Sequence, residues 1–452
     1  TINQADTSYT NITACDSAVW NGTTYGQSGT YSYSGSSIFS QLGLDIDGEE
    51  ASDESGYSVS MSNDGNIVAI GARGNNGNGN NSGHVRIYNY NGTSWNQLGN
   101  DIDGEVVDDE SGIVSLSADG NTVAIGARNN DGNGNQSGHV RVYNWNGSSW
   151  TQLGSDIDGE AAWDNSGWSV SMSSDGNTVA IGATMNAGNG NASGHVRIYN
   201  WNGSSWTQIG NDIDGEAAGD ECGRSVSLSS DGNTVAIGAT FNDGNGTDAG
   251  HVRVYNWNGS SWTQLGSDID GEAAGDASGR SVSLSSDGNI LAIGALWNDG
   301  NGSNSGHVRI YNWNGSSWTQ IGNDIDGEAA GDQSGMFVSL SSDGNTVAIG
   351  ATHNDGNGTD AGHVRIYNWN GSSWTQLGND IDGEAFTNYS GTSISISSDG
   401  NTVVIGAPWN TGNGSTAGHV RVYNLSNLTN VNGCDSTAIL NLTINNPTSS
   451  YL

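Results

Sequence analysis

The sequence predicts an all-β protein: a seven-bladed β-propeller of four-stranded blades, closed by an N-terminal strand and inserted into a small β-sandwich-like domain. Three observations predict it. The string "GHVR", followed by Ile or Val and then Tyr, recurs with its His at 84, 139, 195, 251, 307, 363 and 419. Between copies lie short runs that alternate with period two and show no sustained helical period. The array also starts and stops on different strands of the same unit.

The His spacing is 55 residues once and 56 residues five times. The short interval traces to "ESGIVSLS", which lacks one residue relative to "ESGYSVSMS" in the first copy. Each unit reads as four strands, in the fourth copy "RSVSLSS", "NTVAIGA", "GHVRVYNWNG" and "SSWTQLG". Within "HVRVY", His251, Arg253 and Tyr255 fall on one side and Val252 and Val254 on the other. Asp-Gly in "SDGN" and Asn-Gly in "NWNGSS" supply the positive φ that tight hairpins require.

The phase of the array separates a ring from an open stack. Ahead of the first "SVSMS" stands "SSIFSQLG", with Phe39 where a later copy has Trp150, and no "SSWTQLG" follows Tyr423. The array therefore begins on a fourth strand and ends on a third, so the N-terminal strand completes the last blade. Closure protects sheet edges.

Residues 1–35 and 426–452 stand outside the repeat and read as two halves of one small β domain, with the propeller at 36–425 between them. Each half carries Cys-Asp-Ser, so Cys15 and Cys434 are expected to pair in an oxidising compartment. Cys222 replaces a Ser and is expected as an unpaired structural thiol. Thr1-Ile2-Asn3 resembles Thr443-Ile444-Asn445. This suggests one unit of a tandem array with a period of roughly 440 residues. The chain does not begin with Met and is expected as a mature product or an excised segment.

Composition narrows the function classes. There are 71 Gly, 2 Pro, 11 Arg, no Lys and 48 Asp plus Glu, for a net charge of -37. Nucleic acid is excluded as a partner, because phosphate binding needs a basic face. No apolar stretch is long enough to span a bilayer as a helix. The 16 Trp and 15 Tyr recur in strand-like runs, unlike the composition of disordered acidic chains.

The most pointed candidate site is Asp-Ile-Asp-Gly-Glu, present seven times. With the acid four positions on, it sets Asp45, Asp47, Glu49 and Asp53; Asp101, Asp103, Glu105 and Asp109; Asp156, Asp158, Glu160 and Asp164; and Asp212, Asp214, Glu216 and Asp220. It continues with Asp268, Asp270, Glu272 and Asp276; Asp324, Asp326, Glu328 and Asp332; and Asp380, Asp382 and Glu384, where Asn388 takes the ninth place. Carboxylates at positions one, three, five and nine around a Gly can wrap a hard cation, so Ca2+ is the cofactor these loops would take; blade connection is the plainer role.

The His and Arg of "HVR" are spread around the ring and cannot converge on one ion, so pairing with these acidic loops is their expected role. Trp pairs such as Trp145 with Trp150 either pack between blades or stack on sugars. A second candidate is a mixed ligand face formed by Met185, Phe241, Trp297, His353 and Trp409, which occupy one loop family. No nucleophile and base, phosphate-cradling loop or zinc spacing is present, so no catalytic activity is expected.

"GDECGRSVSLSSDGNTVAIGA", at residues 219–239, resembles the FG-GAP repeats of integrin-α-like propellers, above all the bacterial kind. The resemblance covers about residues 36–424; Phe-Gly has become Ser-Gly in most copies, and Gly-Ala-Pro survives only at Gly406-Ala407-Pro408. In that family a calcium loop lies between the two motifs, where this chain has only the short "SDGN" turn. The flanks are similar to Cys-Asp-Ser modules of large adhesins of Bacteroidetes exported by the type IX route. The two resemblances imply a location outside the bacterial cell, on its surface. The expected function is a structural or adhesive unit of a surface protein or filament, its partners being further copies of itself or cell-surface polysaccharide. The alternative is a lectin-like propeller with glycans at repeated blade sites.

Overall fold

A computed structural model describes residues 38–426, together with the strands Asp6–Ala14, Ala18–Trp20, Thr23–Tyr25, Gly29–Ser34 and Ser436–Ile444. Seven antiparallel sheets follow one another, the first six with their four main strands in chain order. The first is Ser55–Met61, Ile67–Ala72, His84–Tyr90 and Trp95–Gln97, and Ile102–Asp103 adds a short pairing with the third strand. Blade 4 is Cys222–Leu228, Thr234–Ala239, His251–Trp257 and Trp262–Gln264. In blade 7 the fourth strand is Ile38–Gln41, ahead of all the others in sequence. The Leu42 amide donates to the Val422 carbonyl at 2.7 Å, and Ile46 pairs with Val420. The N-terminal strand thus closes the last blade, as the phase of the repeat predicts.

Each blade is packed on both faces, which explains why both sides of its third strand are buried. His251, Val252, Arg253 and Val254 all belong to the interior. The apolar clusters lie between blades: Val59, Val68 and Ile70 of blade 1 meet Val404, Val420 and Val422 of blade 7. Close approach there needs glycine. A Cβ on Gly71 would overlap the carbonyl oxygen of Gly112 in the next blade, and Gly182 meets the Gly223 carbonyl in the same way.

The "SDGN" turn is held by its own side chains. Ser62 Oγ donates to Asp64 at 2.6 Å, the Asn66 amide donates to the same carboxylate at 3.0 Å, and Gly65 has φ 74°. Burial raises the Asp64 pKa, but these hydrogen bonds outweigh it and hold the carboxyl below its usual range.

The first strands line the axis of the ring. In blades 1, 3, 4, 5 and 6 their register against the second strand shifts by a bulge, as between Ser55 and Ser58. The residue missing from the second copy falls at this bulge: its strand runs straight as Ile113–Leu116. Bulges re-aim side chains. Here they carry Tyr57, Trp168, Arg224, Arg280 and Met336.

The chain divides into two compact units, Gln41–Gln376 with Asp380–Asn424, and Thr1–Ser40 with Leu377–Asn379 and Leu425–Leu452. In the smaller unit, Asp6–Ala14 pairs in parallel with Ser436–Ile444, and Gly29–Ser34 pairs antiparallel on its other side. Ala18–Trp20 and Thr23–Tyr25 form a hairpin. The flanks therefore share one three-stranded sheet; among the described residues that sheet and the hairpin are all there is of the expected sandwich. Cys15 and Cys434 lie outside the described residues.

Candidate functional site

In the structure the acidic residues of each loop turn to different partners. The first turns to a Gln four residues earlier, as Gln97 Nε2 donates to Asp101 at 2.5 Å. The third contributes its backbone: the Asp47 carbonyl accepts from Arg86 Nη2 at 2.7 Å, and those of Asp103, Asp158, Asp214, Asp270, Asp326 and Asp382 accept from the Arg of the following blade. The ninth is buried and caps its own loop, since Asp53 Oδ2 accepts the amides of Glu49 and Glu50. Asp109, Asp164, Asp220, Asp276 and Asp332 repeat this role, and Asn388 fills it in the last copy. A calcium ion takes six to eight oxygens. No single loop assembles them.

The first carboxylate of a loop and the fifth of the preceding loop meet at one His, the fifth reaching it across the blade boundary. His84 Nδ1 stands 3.7 Å from Asp101 and 3.9 Å from Glu49. Equivalent groups are Glu105, His139 and Asp156; Glu160, His195 and Asp212; Glu216, His251 and Asp268; and Asp45, Glu384 and His419. His307 stands likewise beside Glu272 and Asp324, and His363 beside Glu328 and Asp380. Burial pulls the pKa of His84 down to about 4, with the Arg86 guanidinium adding to the shift, so the imidazole is neutral at pH 7 and keeps a lone pair. One imidazole and two carboxylates can hold an ion, and this mixed donor set suits zinc better than calcium. The Glu also reaches Arg86 Nη1, at 3.6 Å. The expected bracing of blades by Arg and acidic loops is thus present, with a backbone carbonyl as the nearer partner.

The outer Trp residues also tie blades together. Trp150 Nε1 donates to the Leu98 carbonyl of the preceding blade at 2.7 Å, and Trp145 lies 5.4 Å from Trp150. Beside three of these pairs is a shallow polar cleft. One of about 320 Å³ is lined by Asp101, Asp103, Tyr143, Ser148 and Trp150, and similar clefts lie at Trp206 and Trp374.

The five residues expected to form a ligand face lie half-buried around one end of the ring, Met185 being the most exposed at 39 %. Phe241 and Trp297 are 6.2 Å apart, and Tyr389 bridges His353 at 5.1 Å and Trp409 at 5.0 Å. Blades 1 and 2 carry Gly74 and Asn129 in the same place, so the aromatic arc is one-sided.

A site that periodicity did not single out lies at the axis. A cavity of about 260 Å³ is lined by the first strands of all seven blades, including Tyr57, Trp168, Arg224, Arg280 and Phe337, with Arg128 from the turn after a second strand. Arg128 and Arg224 lie 4.4 and 4.5 Å from the Trp168 ring, and Arg73 lies 3.8 Å from Tyr57. Three of these cations have a carboxylate partner: Arg73 with Glu54 at 2.7 Å, Arg128 with Glu110 at 2.6 Å and Arg224 with Glu221 at 2.9 Å. The sequence did hold a signal: these are the Arg residues outside "HVR", at positions where the copies disagree. Cys222 is buried and free, its thiol pushed by burial to about 11, which suits an inert packing role.

Comparison with known proteins agrees with this architecture. The FG-GAP repeat model matches residues 46–88, 213–255 and 269–311, each running from an acidic loop through the third strand of blade 1, 4 or 5. No curated protein matches the sequence. Among solved structures, hydrazine synthase from Kuenenia stuttgartiensis is similar with a TM-score of 0.52 and 13% identity, over 81% of this chain and 94% of that one. A protein from Bacteroides uniformis titled "putative 6-phosphogluconolactonase" is similar with a TM-score of 0.51 and 11% identity, over 72% of this chain and 85% of that one. At such identities the likeness is one of fold alone.

Proposed function

We propose that the chain is a non-catalytic attachment unit of an extracellular bacterial surface protein or filament, whose propeller presents one variable face to a surface ligand. The observation that carries this is where the copies differ. The braces repeat in every blade, from the Arg on a neighbouring carbonyl to the His beside two carboxylates, whereas positions 57, 168, 224, 280 and 336 read Tyr, Trp, Arg, Arg and Met. A scaffold keeps its supports constant and varies what it offers a partner. Repetition along a tethered surface protein then turns weak single contacts into strong attachment. Further copies of the unit and cell-surface polysaccharide are the partners this reading names. The test is adhesion of beads carrying the purified chain to bacterial cells and to polysaccharide-coated plates. Beads that adhere no better than those carrying an unrelated acidic protein would end it.

A second reading, a lectin-like propeller with a glycan at each blade, is favoured by the clefts beside Trp150, Trp206 and Trp374, which combine aromatic, carboxylate and hydroxyl groups. Stoichiometry separates the two. Blade sites predict several glycans per chain, and the axial face predicts one.

A further inference from the structure

Blade 5 drops a pairing that blade 4 keeps. Arg224 is neutralised by Glu221, three residues before it. In blade 5 Arg280 stands in the place of Arg224, and Ala277 in the place of Glu221. Both earlier residues have left-handed backbone, with φ 51° at Glu221 and 56° at Ala277, so the local geometry is kept and the counter-charge is gone. The Arg280 guanidinium has no hydrogen bond or ion pair among the described residues, and lies 5.4 Å from the Phe337 ring. Burial, with Arg224 beside it, lowers its pKa to about 10, which leaves it cationic at neutral pH.

The charge around the cavity sets the ligand's charge. Arg128 and Arg224 are each matched by a Glu, so one positive charge remains, and it is on Arg280. A monoanion balances it. The planar guanidinium fork suits a carboxylate. At about 260 Å³ the cavity is slightly smaller than most ligand pockets, so it takes an end group and not the middle of a chain.

Two further features narrow the carrier of that carboxylate. Glu110 and Glu221, paired with the lining Arg128 and Arg224, are acceptors that hydroxyl groups can meet. Amides along the axial strands are already used: Leu228 donates to Ser171 Oγ at 2.9 Å and Leu284 to Ser227 Oγ at 3.0 Å, so these edge groups are not free for a peptide to add as a strand. The aromatic rings hold guanidinium groups over their faces, and so orient cations.

From these observations we infer that the axial cavity binds the carboxylate of an acidic sugar at the end of a saccharide chain, with Arg280 as its principal contact. This rests on the attachment function proposed above and names its ligand. The test is calorimetric titration of the whole chain with a galacturonate trisaccharide, with maltotriose, inorganic phosphate and a neutral-side-chain tripeptide as comparisons. One galacturonate trisaccharide should bind per chain, and Arg280→Gln should weaken it by about tenfold or more. Ala277→Glu, which restores the counter-charge found in blade 4, should weaken it as well. Both variants are first shown to melt as the parent does. Undiminished binding in both variants overturns the inference, as does equal or tighter binding of maltotriose, phosphate or tripeptide. Beads carrying Arg280→Gln that adhere as well as the parent would sink this site while leaving attachment standing. Parent beads that adhere to nothing would remove the attachment function itself.

Discussion

Ser395 Oγ accepts a hydrogen bond from the backbone amide of Met61 at 3.2 Å, across 334 positions of sequence. Each blade makes the same link to the next: Ser60 serves Leu116, Ser115 serves Met172, Ser171 serves Leu228, Ser227 serves Leu284, Ser283 serves Leu340 and Ser339 serves Ile396. The axial edge of every blade is thereby capped by its neighbour, and the Ser395 link closes the circle.

That circle depends on the strand at the start of the chain. A variant lacking residues 1–47 loses Ile38–Gln41, the Leu42 amide on Val422 and the pairing of Ile46 with Val420. It should melt well below the intact chain and bind a dye for exposed apolar surface. A variant lacking residues 1–37 keeps those contacts and should show less of both. Equal melting of the two variants would contradict closure by this strand.

Glycine at blade boundaries is a steric requirement. Gly71→Ala places a methyl group on the Gly112 carbonyl without any conflict of φ, so its cost is pure overpacking, about 1–3 kcal/mol. Gly92→Ala is the contrast, since its Cβ meets nothing and its penalty comes from a φ of 94° alone. Urea denaturation of the two variants measures the difference. A neutral Gly71→Ala would show that the blades have room to part.

Acid should loosen the ring as its buried histidines take up protons. His84, His139, His363 and His419 are each lowered from 6.5 to about 4, first by burial and then by the Arg two residues on, while nearby carboxylates oppose the shift. Between those values the unfolded chain binds more protons than the folded one. The contribution of these histidines to stability is then full above pH 6.5 and is lost as pH falls towards 4. The decline is on the order of 1 kcal/mol per buried His for each pH unit. Urea midpoints at pH 7.5 and 5.5 test this, and a level or rising midpoint on acidification would refute it.

The donor set at blade boundaries predicts metal preference. After chelation, micromolar Zn2+ should raise the melting temperature more than the same concentration of Ca2+, because each cluster offers an imidazole and only two carboxylates. His139→Gln should reduce the zinc effect. No response to either ion would leave these clusters as electrostatic braces alone.

Much of this was legible in one dimension. The 56-residue period, Asp-Gly and Asn-Gly turns and the phase of the array determine a closed seven-bladed ring, because hairpin chemistry is local and a repeat that cannot bury its own faces must stack on its copies. Pairing of Arg with the acidic loops was legible too, since seven of the eleven Arg sit in one strand of the repeat in an acidic chain.

The destination of each carboxylate was not. Spacing put Asp101, Asp103, Glu105 and Asp109 in one loop, but only the folded chain shows that Asp109 caps that loop, that Asp101 turns back to His84 in its own blade, and that Glu105 crosses to His139 in the next. Arg280 and Tyr57 are more than 200 positions apart, and neither stands out in its own copy. Sequence by itself determined the blades and their number, which follow from hydrogen bonding and alternation within each copy. Tertiary structure alone decided the axial site, because a ring brings the bulges of separate blades to one centre and so makes single-residue differences between copies into neighbours.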